Sequence, residues 1–144
     1  DTMLSSVDFV SIGSNDLVQY LMAADRDNPK VNHLCHPLAP PVLRVLHRVI
    51  SHCNAAQVPV TLCGEMAGQQ RALVLLLGVG LRSFSMSPAF LSPIKSLAKH
   101  VTVSDAEAIF RTALRMKTTA RVQRLVRDRL RELAPELAML DVQQ

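Results

Sequence analysis

Residues 7–13 read Val-Asp-Phe-Val-Ser-Ile-Gly and are followed at once by Ser14-Asn15-Asp16. A short β-branched and apolar run that stops at glycine is typical of a β-strand. Leu17, Tyr20 and Leu21 then recur at helical spacing, which predicts a helix after a short polar loop. This strand, loop and helix set the pattern that the following residues repeat.

The alternation of strands and helices continues along the chain. Pro40 or Pro41 opens an amphipathic helix, and an apolar run over residues 58–64 predicts a second strand. A third helix is predicted over about residues 69–77 and a third strand over residues 83–87. Short apolar strands between amphipathic helices favour parallel strands covered on both faces, and therefore an α/β fold.

Helical spacing also predicts two elements in the C-terminal part of the chain. Ile94 and Leu97 indicate a helix after Pro93, and residues 104–107, Ser-Asp-Ala-Glu, form a capping box that opens another. Their basic residues are interpreted as a solvated helix face rather than as a nucleic-acid-binding surface.

Composition excludes several classes of protein. The 144 residues are 49% hydrophobic and 19% charged, which is typical of a globular chain and excludes a disordered one. The net charge of +4 is spread evenly, and aromatic residues make up 3%, so we expect no nucleic-acid partner. The most apolar stretch, residues 72–81, is too short to cross a bilayer, and no signal-peptide pattern is present. Three cysteines argue against a disulfide framework, so we expect a cytoplasmic location.

Polar side chains follow each predicted strand. Asn15 and Asp16 follow the first strand, Cys63 and Glu65 the second, and Ser87 the third. Because the C-terminal ends of parallel strands meet at one edge of a sheet, we expect these five residues to converge there.

Each of these residue types leaves alternatives open. Asn15 and Asp16 suit a divalent cation and an anionic substrate, but their spacing alone favours an Asx turn or a helix N-cap. Arg26 beside Asp25 is either a guanidinium clamp for phosphate or carboxylate, or a surface pair. Cys63 could be a nucleophile, a metal ligand, an acid or a small buried apolar residue.

Four segments, taken in order, carry a resemblance. They read VDFVSIGSNDLVQYLMAADRDN (residues 7–28), PLAPPVLRVL (37–46), VPVTLCGEMAG (58–68) and LLLGVGLRSFSMSP (75–88). Together they resemble the C-terminal part of enzyme I of the phosphoenolpyruvate-dependent phosphotransferase system. Enzymes of the wider family bind phosphoenolpyruvate (PEP) at the mouth of a (βα)8 barrel.

The resemblance implies a fold and a division of the chain. Residues 1–100 would form about the last three βα units of the barrel, and residues 101–144 a C-terminal helical extension. An incomplete barrel leaves strand edges and an apolar inner face uncovered, so we expect a homodimer or higher self-association.

The resemblance also implies roles for individual residues. Asn15 and Asp16 would contact PEP, with Asp16 also a Mg²⁺ ligand, and Arg26 would hold the phosphate. Cys63 would donate a proton to the enolate of pyruvate. The enzyme transfers the phosphoryl group to its own histidine and then to a small histidine-phosphocarrier protein. That histidine, further arginines and a second acidic Mg²⁺ ligand would precede Asp1, so we expect this chain to be inactive alone.

Departures from the family pattern bear on the details. Residues 36–40 read His-Pro-Leu-Ala-Pro where the family usually has Asp-Pro-Leu-His/Asn-Pro, and Gln69 replaces an aspartate. The segment Gly-Ser-Asn-Asp at 13–16 and the basic C-terminal helix favour the nitrogen-related branch over the sugar-transport branch.

Two alternatives remain within this resemblance. One is PEP synthase or pyruvate phosphate dikinase, against which Cys-Gly-Glu-Met-Ala-Gly at residues 63–68 argues. The other is a non-catalytic module that senses PEP, in which the proton donor Cys63 would have no purpose.

Overall fold

The computed structural model describes residues 2–135, which form three β-strands and six α-helices. In chain order the elements are β1 (Val10–Gly13), α1 (Ser14–Met22), α2 (Pro40–Ala55), β2 (Val60–Cys63), α3 (Gln70–Gly78), β3 (Ser83–Ser85), α4 (Pro88–Ala98), α5 (Val103–Leu114) and α6 (Thr119–Leu133). Single 3₁₀ turns cover Leu4–Ser6, Asn32–Leu34 and Glu65–Gly68. The predicted order of strands and helices up to β3 is confirmed.

The three strands form one parallel sheet in the order β1-β2-β3. Ile12 pairs with Leu62, and Leu62 pairs with Phe84. Ile12 and Leu62 are buried in the core, because side chains at this register position point toward the helices. The parallel sheet with its helices confirms the α/β class.

The opposite face of the sheet is polar and open. Ser11, Thr61 and Ser83 share one register row on that face, where Ser11 and Ser83 are exposed and Ser83 Oγ donates to Thr61 Oγ1 at 3.2 Å. The predictions that helices cover both faces and that the inner face is apolar are therefore wrong for the described residues. Strand side chains alternate between faces, so the hydroxyl and thiol residues within each apolar run all fall on the same side.

The hydrophobic core is centred on α3 and includes the two C-terminal helices. Leu73, Leu75 and Leu76 of α3 are almost completely buried, and Phe110 of α5 and Val126 of α6 lie in the same cluster. The division of the chain at residue 100 stays a prediction.

The contact between α3 and α5 is unusually close at Gly78. A Cβ at this position would lie 2.1 Å from the backbone oxygen of Ala106 and 2.7 Å from Cβ of Phe110. Only the absence of a side chain lets the two helices approach to this distance.

Two helices begin at different residues from those predicted. α4 begins at Pro88, because a proline in the first turn of a helix costs no hydrogen bond. The helix continues through Pro93, because the buried Ile94 and Leu97 hold the later turns. α5 is capped by Thr102, whose Oγ1 accepts from the Asp105 backbone N–H at 3.1 Å, and not by the Ser-Asp-Ala-Glu box.

The described helices and cysteines bear on two further predictions. Within residues 2–135, no helix is long and apolar enough to cross a membrane. Cys35, Cys53 and Cys63 are all free, as the absence of a disulfide framework predicts. Burial raises the pKa of the Cys53 thiol, so this cysteine remains a protonated core residue at neutral pH.

Candidate active site

The junction of β1 and α1 places two predicted site residues on a helix. Gly13 is the N-cap and α1 begins directly at Ser14, so Asn15 and Asp16 lie in the first helical turn rather than in the predicted polar loop. No side-chain cap hydrogen bond is formed at this helix end, which argues against the N-cap interpretation of Asn15 and Asp16. The Asp16 carboxylate is favoured there by the helix dipole.

Gly64 brings the end of β2 against the start of α1. Its φ of +100° and ψ of −173° belong to a region that is essentially restricted to glycine. A Cβ on Gly64 would lie 2.5 Å from Ser14 Oγ and 3.1 Å from Asn15 Oδ1. The backbone of β2 therefore passes where a side chain would displace both residues.

Asn15 and Glu65 join the two strand ends by a reciprocal pair of hydrogen bonds. Asn15 Nδ2 donates to Glu65 Oε1 at 3.3 Å, and the Glu65 backbone N–H donates to Asn15 Oδ1 at 3.2 Å. Arg26 Nη1 lies 3.9 Å from the same Glu65 oxygen. Because the Arg26 and Glu65 side chains are 46% and 77% exposed, solvent keeps this ion pair weak.

This network borders an open cleft of about 410 Å³, a volume that includes its mouth. The cleft has both polar and apolar walls. It is lined by Ser14, Asn15, Val18, Arg26, Cys35, Pro37, Glu65, Met66 and Gln69. A small space with an amide and a guanidinium beside apolar side chains suits a small organic anion.

The loop between α1 and α2 supplies a wall of the cleft that the sequence analysis did not assign. Cys35 Sγ donates to the Ala24 carbonyl at 3.1 Å, which holds the loop against the end of α1. Cys35 and Pro37 then line the cleft. The Pro-rich composition predicted a connection here, but no residue pattern indicated which side chains face Asn15.

His36 ties this loop to α6. Its Nδ1 accepts from the Leu38 backbone N–H at 3.0 Å, and its Nε2 lies 2.7 Å from the Gln123 side-chain amide. Burial and then the positive charge of Arg71 lower the pKa of His36, so the ring is neutral at pH 7. With Nδ1 as acceptor, the ring hydrogen sits on Nε2, and we therefore assign the amide oxygen of Gln123 to this contact.

The predicted convergence of five strand-end residues is confirmed for Asn15 and Glu65. Cys63 faces the open side of the sheet, where its Sγ lies 3.9 Å from Ser11 Oγ and donates to the Ile12 carbonyl at 3.5 Å. Asp16 and Ser87 are exposed, and neither they nor Cys63 line the cleft. Arg26, predicted as a separate clamp, joins the network through Glu65.

Asp16 is an exposed carboxylate next to the cleft residue Asn15. Within residues 2–135, no group of three or more His, Cys, Asp or Glu residues could hold a metal ion. Mg²⁺ usually takes one or two carboxylates and completes its shell with water and substrate phosphate. The exposed carboxylate of Asp16 fits one of these positions.

Residues 1–103 match the family model for the PEP-utilising enzyme, PEP-binding domain. The chain belongs to this family. The resemblance seen in the four sequence motifs is therefore confirmed, and the cleft lies within the segment that matches the PEP-binding domain.

Relatives in three bacteria are each named phosphoenolpyruvate-protein phosphotransferase. The chain is 42% identical to the Haemophilus influenzae protein over 130 residues, which cover 90% of this chain and 23% of that protein. It is 41% identical to the Bacillus subtilis protein over 128 residues, covering 89% and 22%. It is 52% identical to the Cupriavidus necator protein over 97 residues, covering 67% and 17%. The chain therefore spans less than a quarter of the length of these relatives.

Proposed function

We propose that this chain supplies the strand-end part of the PEP site of a phosphoenolpyruvate-protein phosphotransferase. The observation that carries the proposal is the cleft in which Asn15, Arg26 and Glu65 form one network inside the segment that matches the PEP-binding domain. In the proposed reaction PEP phosphorylates a histidine of the enzyme, a small histidine-phosphocarrier protein then accepts the phosphoryl group, and pyruvate is released.

The residues of the cleft bind and orient the anion in this proposal. Arg26 at the cleft edge offers several N–H donors in the planar arrangement that matches phosphate oxygens. Asn15 adds an amide N–H from the first turn of α1. Fixed donors aimed at the phosphoryl group stabilise the negative charge that it carries during transfer.

Cys63 is the proposed proton donor. Loss of the phosphoryl group from PEP leaves the enolate of pyruvate, and protonation of its terminal carbon gives pyruvate. The Cys63 Sγ lies on the open face of the sheet, 3.5 Å from the Ile12 carbonyl oxygen and 3.9 Å from Ser11 Oγ. We propose that PEP extends from the cleft across the end of β1 toward this face.

The polar face fits a barrel interior in this proposal. In a (βα)8 barrel the helices cover the outside of the sheet and the other face points inward. The helices of this chain cover the face that carries Ile12 and Leu62, whereas Ser11 and Thr61 lie on the open face. We propose that the three strands are three consecutive units of such a barrel.

Mg²⁺ is the proposed cofactor, with Asp16 as one ligand. A bound Mg²⁺ would neutralise charge on the transferring phosphate. Because Glu65 is already engaged with Asn15 and Arg26, the second carboxylate would come from elsewhere in the enzyme.

The remaining elements of the proposal concern the protein as a whole. Because the chain spans less than a quarter of its relatives, we propose that residues 1–144 alone do not turn over PEP. We further propose that the enzyme is cytoplasmic and self-associates. The segment Gly-Ser-Asn-Asp at 13–16 and the basic surface of α6 support a proposal that it belongs to the nitrogen-related branch.

The test uses the Haemophilus influenzae phosphotransferase in which this chain replaces the matching segment. It is incubated with radiolabelled PEP and Mg²⁺ without nucleotide, then chased with a histidine-phosphocarrier protein. Label on the enzyme that passes to the carrier supports the proposal. PEP binding without label would indicate a sensing module.

A further inference from the structure

We propose that Glu65 is a positioning residue that holds the Asn15 amide in its PEP-binding orientation. This inference rests on the proposed function, because it assigns Asn15 to substrate binding. Glu65 touches both Asn15 and Arg26, through contacts of 3.3 and 3.9 Å to a single carboxylate oxygen.

The hydrogen-bonding groups of Asn15 show how Glu65 would fix the orientation of the Asn15 amide. A side-chain amide has one acceptor oxygen and two N–H donors, and it can rotate to exchange them. The Glu65 backbone N–H occupies the oxygen, and the Glu65 carboxylate occupies one N–H. Within the described residues this leaves the second N–H for a ligand in the cleft.

The negative charge of Glu65 argues against a direct contact of this side chain with the substrate. A carboxylate beside the cleft repels an anion such as PEP, so it weakens PEP binding unless another role compensates for the repulsion. Its contacts to Asn15 and Arg26 supply that other role, because a positioned amide and guanidinium lose less freedom when the anion binds. The backbone of Gly64 places Glu65 where both contacts form.

Two substitutions separate positioning from charge. Glu65→Gln keeps an oxygen that accepts from Asn15 Nδ2 and removes the charge, whereas Glu65→Ala removes both. Glu107→Gln, at an exposed position on α5, is the matched control for loss of a negative charge. The backbone hydrogen bond from residue 65 to Asn15 is retained in all three variants.

The first readout is the side-chain rotamer of Asn15 about χ2, measured by NMR contacts of its two amide protons in the 144-residue chain without PEP. We expect one amide orientation in the wild type, Glu65→Gln and Glu107→Gln, and averaging between orientations in Glu65→Ala. A single unchanged rotamer in Glu65→Ala would overturn the proposal. This readout does not depend on any activity.

The second readout is PEP turnover by the chimeric phosphotransferase described above. A lost hydrogen bond of this kind is worth about a two- to tenfold change, so Glu65→Ala should raise KM for PEP by about that factor with kcat nearly unchanged. Glu65→Gln should change KM less than Glu65→Ala does, because it keeps the oxygen that accepts from Asn15 Nδ2. Equal changes in both variants would show that Glu65 acts by charge and would overturn the positioning role. A chimera that never turns over PEP would refute the proposed function, while the Asn15 rotamer would still decide the role of Glu65.

Discussion

Replacing Gly64 by alanine should destabilise the fold and disorder the cleft at the same time. The backbone at Gly64 has φ +100°, a conformation that costs a residue with a Cβ about 1–3 kcal/mol. The new Cβ would also lie 2.5 Å from Ser14 Oγ and 3.1 Å from Asn15 Oδ1, and overpacking of this kind costs about 1–3 kcal/mol. We therefore expect the free energy of unfolding to fall by about 2–5 kcal/mol, because the two costs add in part.

Gly13 provides a matched control at the end of the neighbouring strand. Its φ is −76°, and a Cβ there would meet Asp16 Oδ2 at 3.7 Å, an ordinary contact. Gly13→Ala should change stability by less than about 1 kcal/mol, because reduced freedom of the unfolded chain offsets the loss of a good N-cap residue. Urea unfolding measures both variants. Equal stability of Gly64→Ala and Gly13→Ala would refute the close approach of β2 to α1.

Four further predictions follow from other contacts. Gly78→Ala should lower the free energy of unfolding, measured in urea, by about 1–3 kcal/mol. The new Cβ would lie 2.1 Å from the Ala106 backbone oxygen, and this clash outweighs a helix-propensity gain of about 1 kcal/mol. Unchanged stability would contradict the α3–α5 contact. Thr102→Ala should lower the free energy of unfolding by about 1 kcal/mol, and Ser104→Ala should leave it almost unchanged. The reverse order would show that Ser104 caps the helix, as expected from the sequence. The pKa of His36 is lowered in the folded state, so the unfolded chain binds more protons as the pH drops below 6.5. The free energy of unfolding should therefore fall as the pH drops from 6.5, and His36→Ala should make this dependence on pH less steep. Cys63→Ala in the chimeric phosphotransferase should slow pyruvate release by about 10²- to 10⁴-fold with a similar KM for PEP, whereas a small loss would remove the proton-donor role.

The alternation of elements could be predicted because each strand and helix has its own local pattern. The apolar run before Gly13 and the proline pair at Pro40 and Pro41 mark their elements by residues that are close in sequence. The same apolar runs concealed the polar sheet face. Ser11 and Thr61 are single polar residues within apolar runs, and only the strand register shows that they share a row with Ser83.

The candidate site was predicted in part for a related reason. Asn15 and Glu65 follow strands that pair in parallel, so the topology brings them together once the strand ends are recognised. The contact of His36 with Gln123 joins residues 87 positions apart, and no local pattern encodes it. The role of Gly64 likewise depends on its distance from Ser14, which the amino-acid sequence does not specify.

The most direct test of the account is a titration of the 144-residue chain with PEP and Mg²⁺, followed by NMR of the Asn15 amide and Arg26 guanidinium groups. A matched titration with sulfate separates recognition of PEP from general anion binding. The account predicts that PEP at millimolar concentration shifts both side-chain signals more than sulfate does, while the signals of α6 away from Gln123 stay unchanged. Unchanged Asn15 and Arg26 signals, or equal shifts with sulfate, would contradict the assignment of the cleft as part of a PEP site.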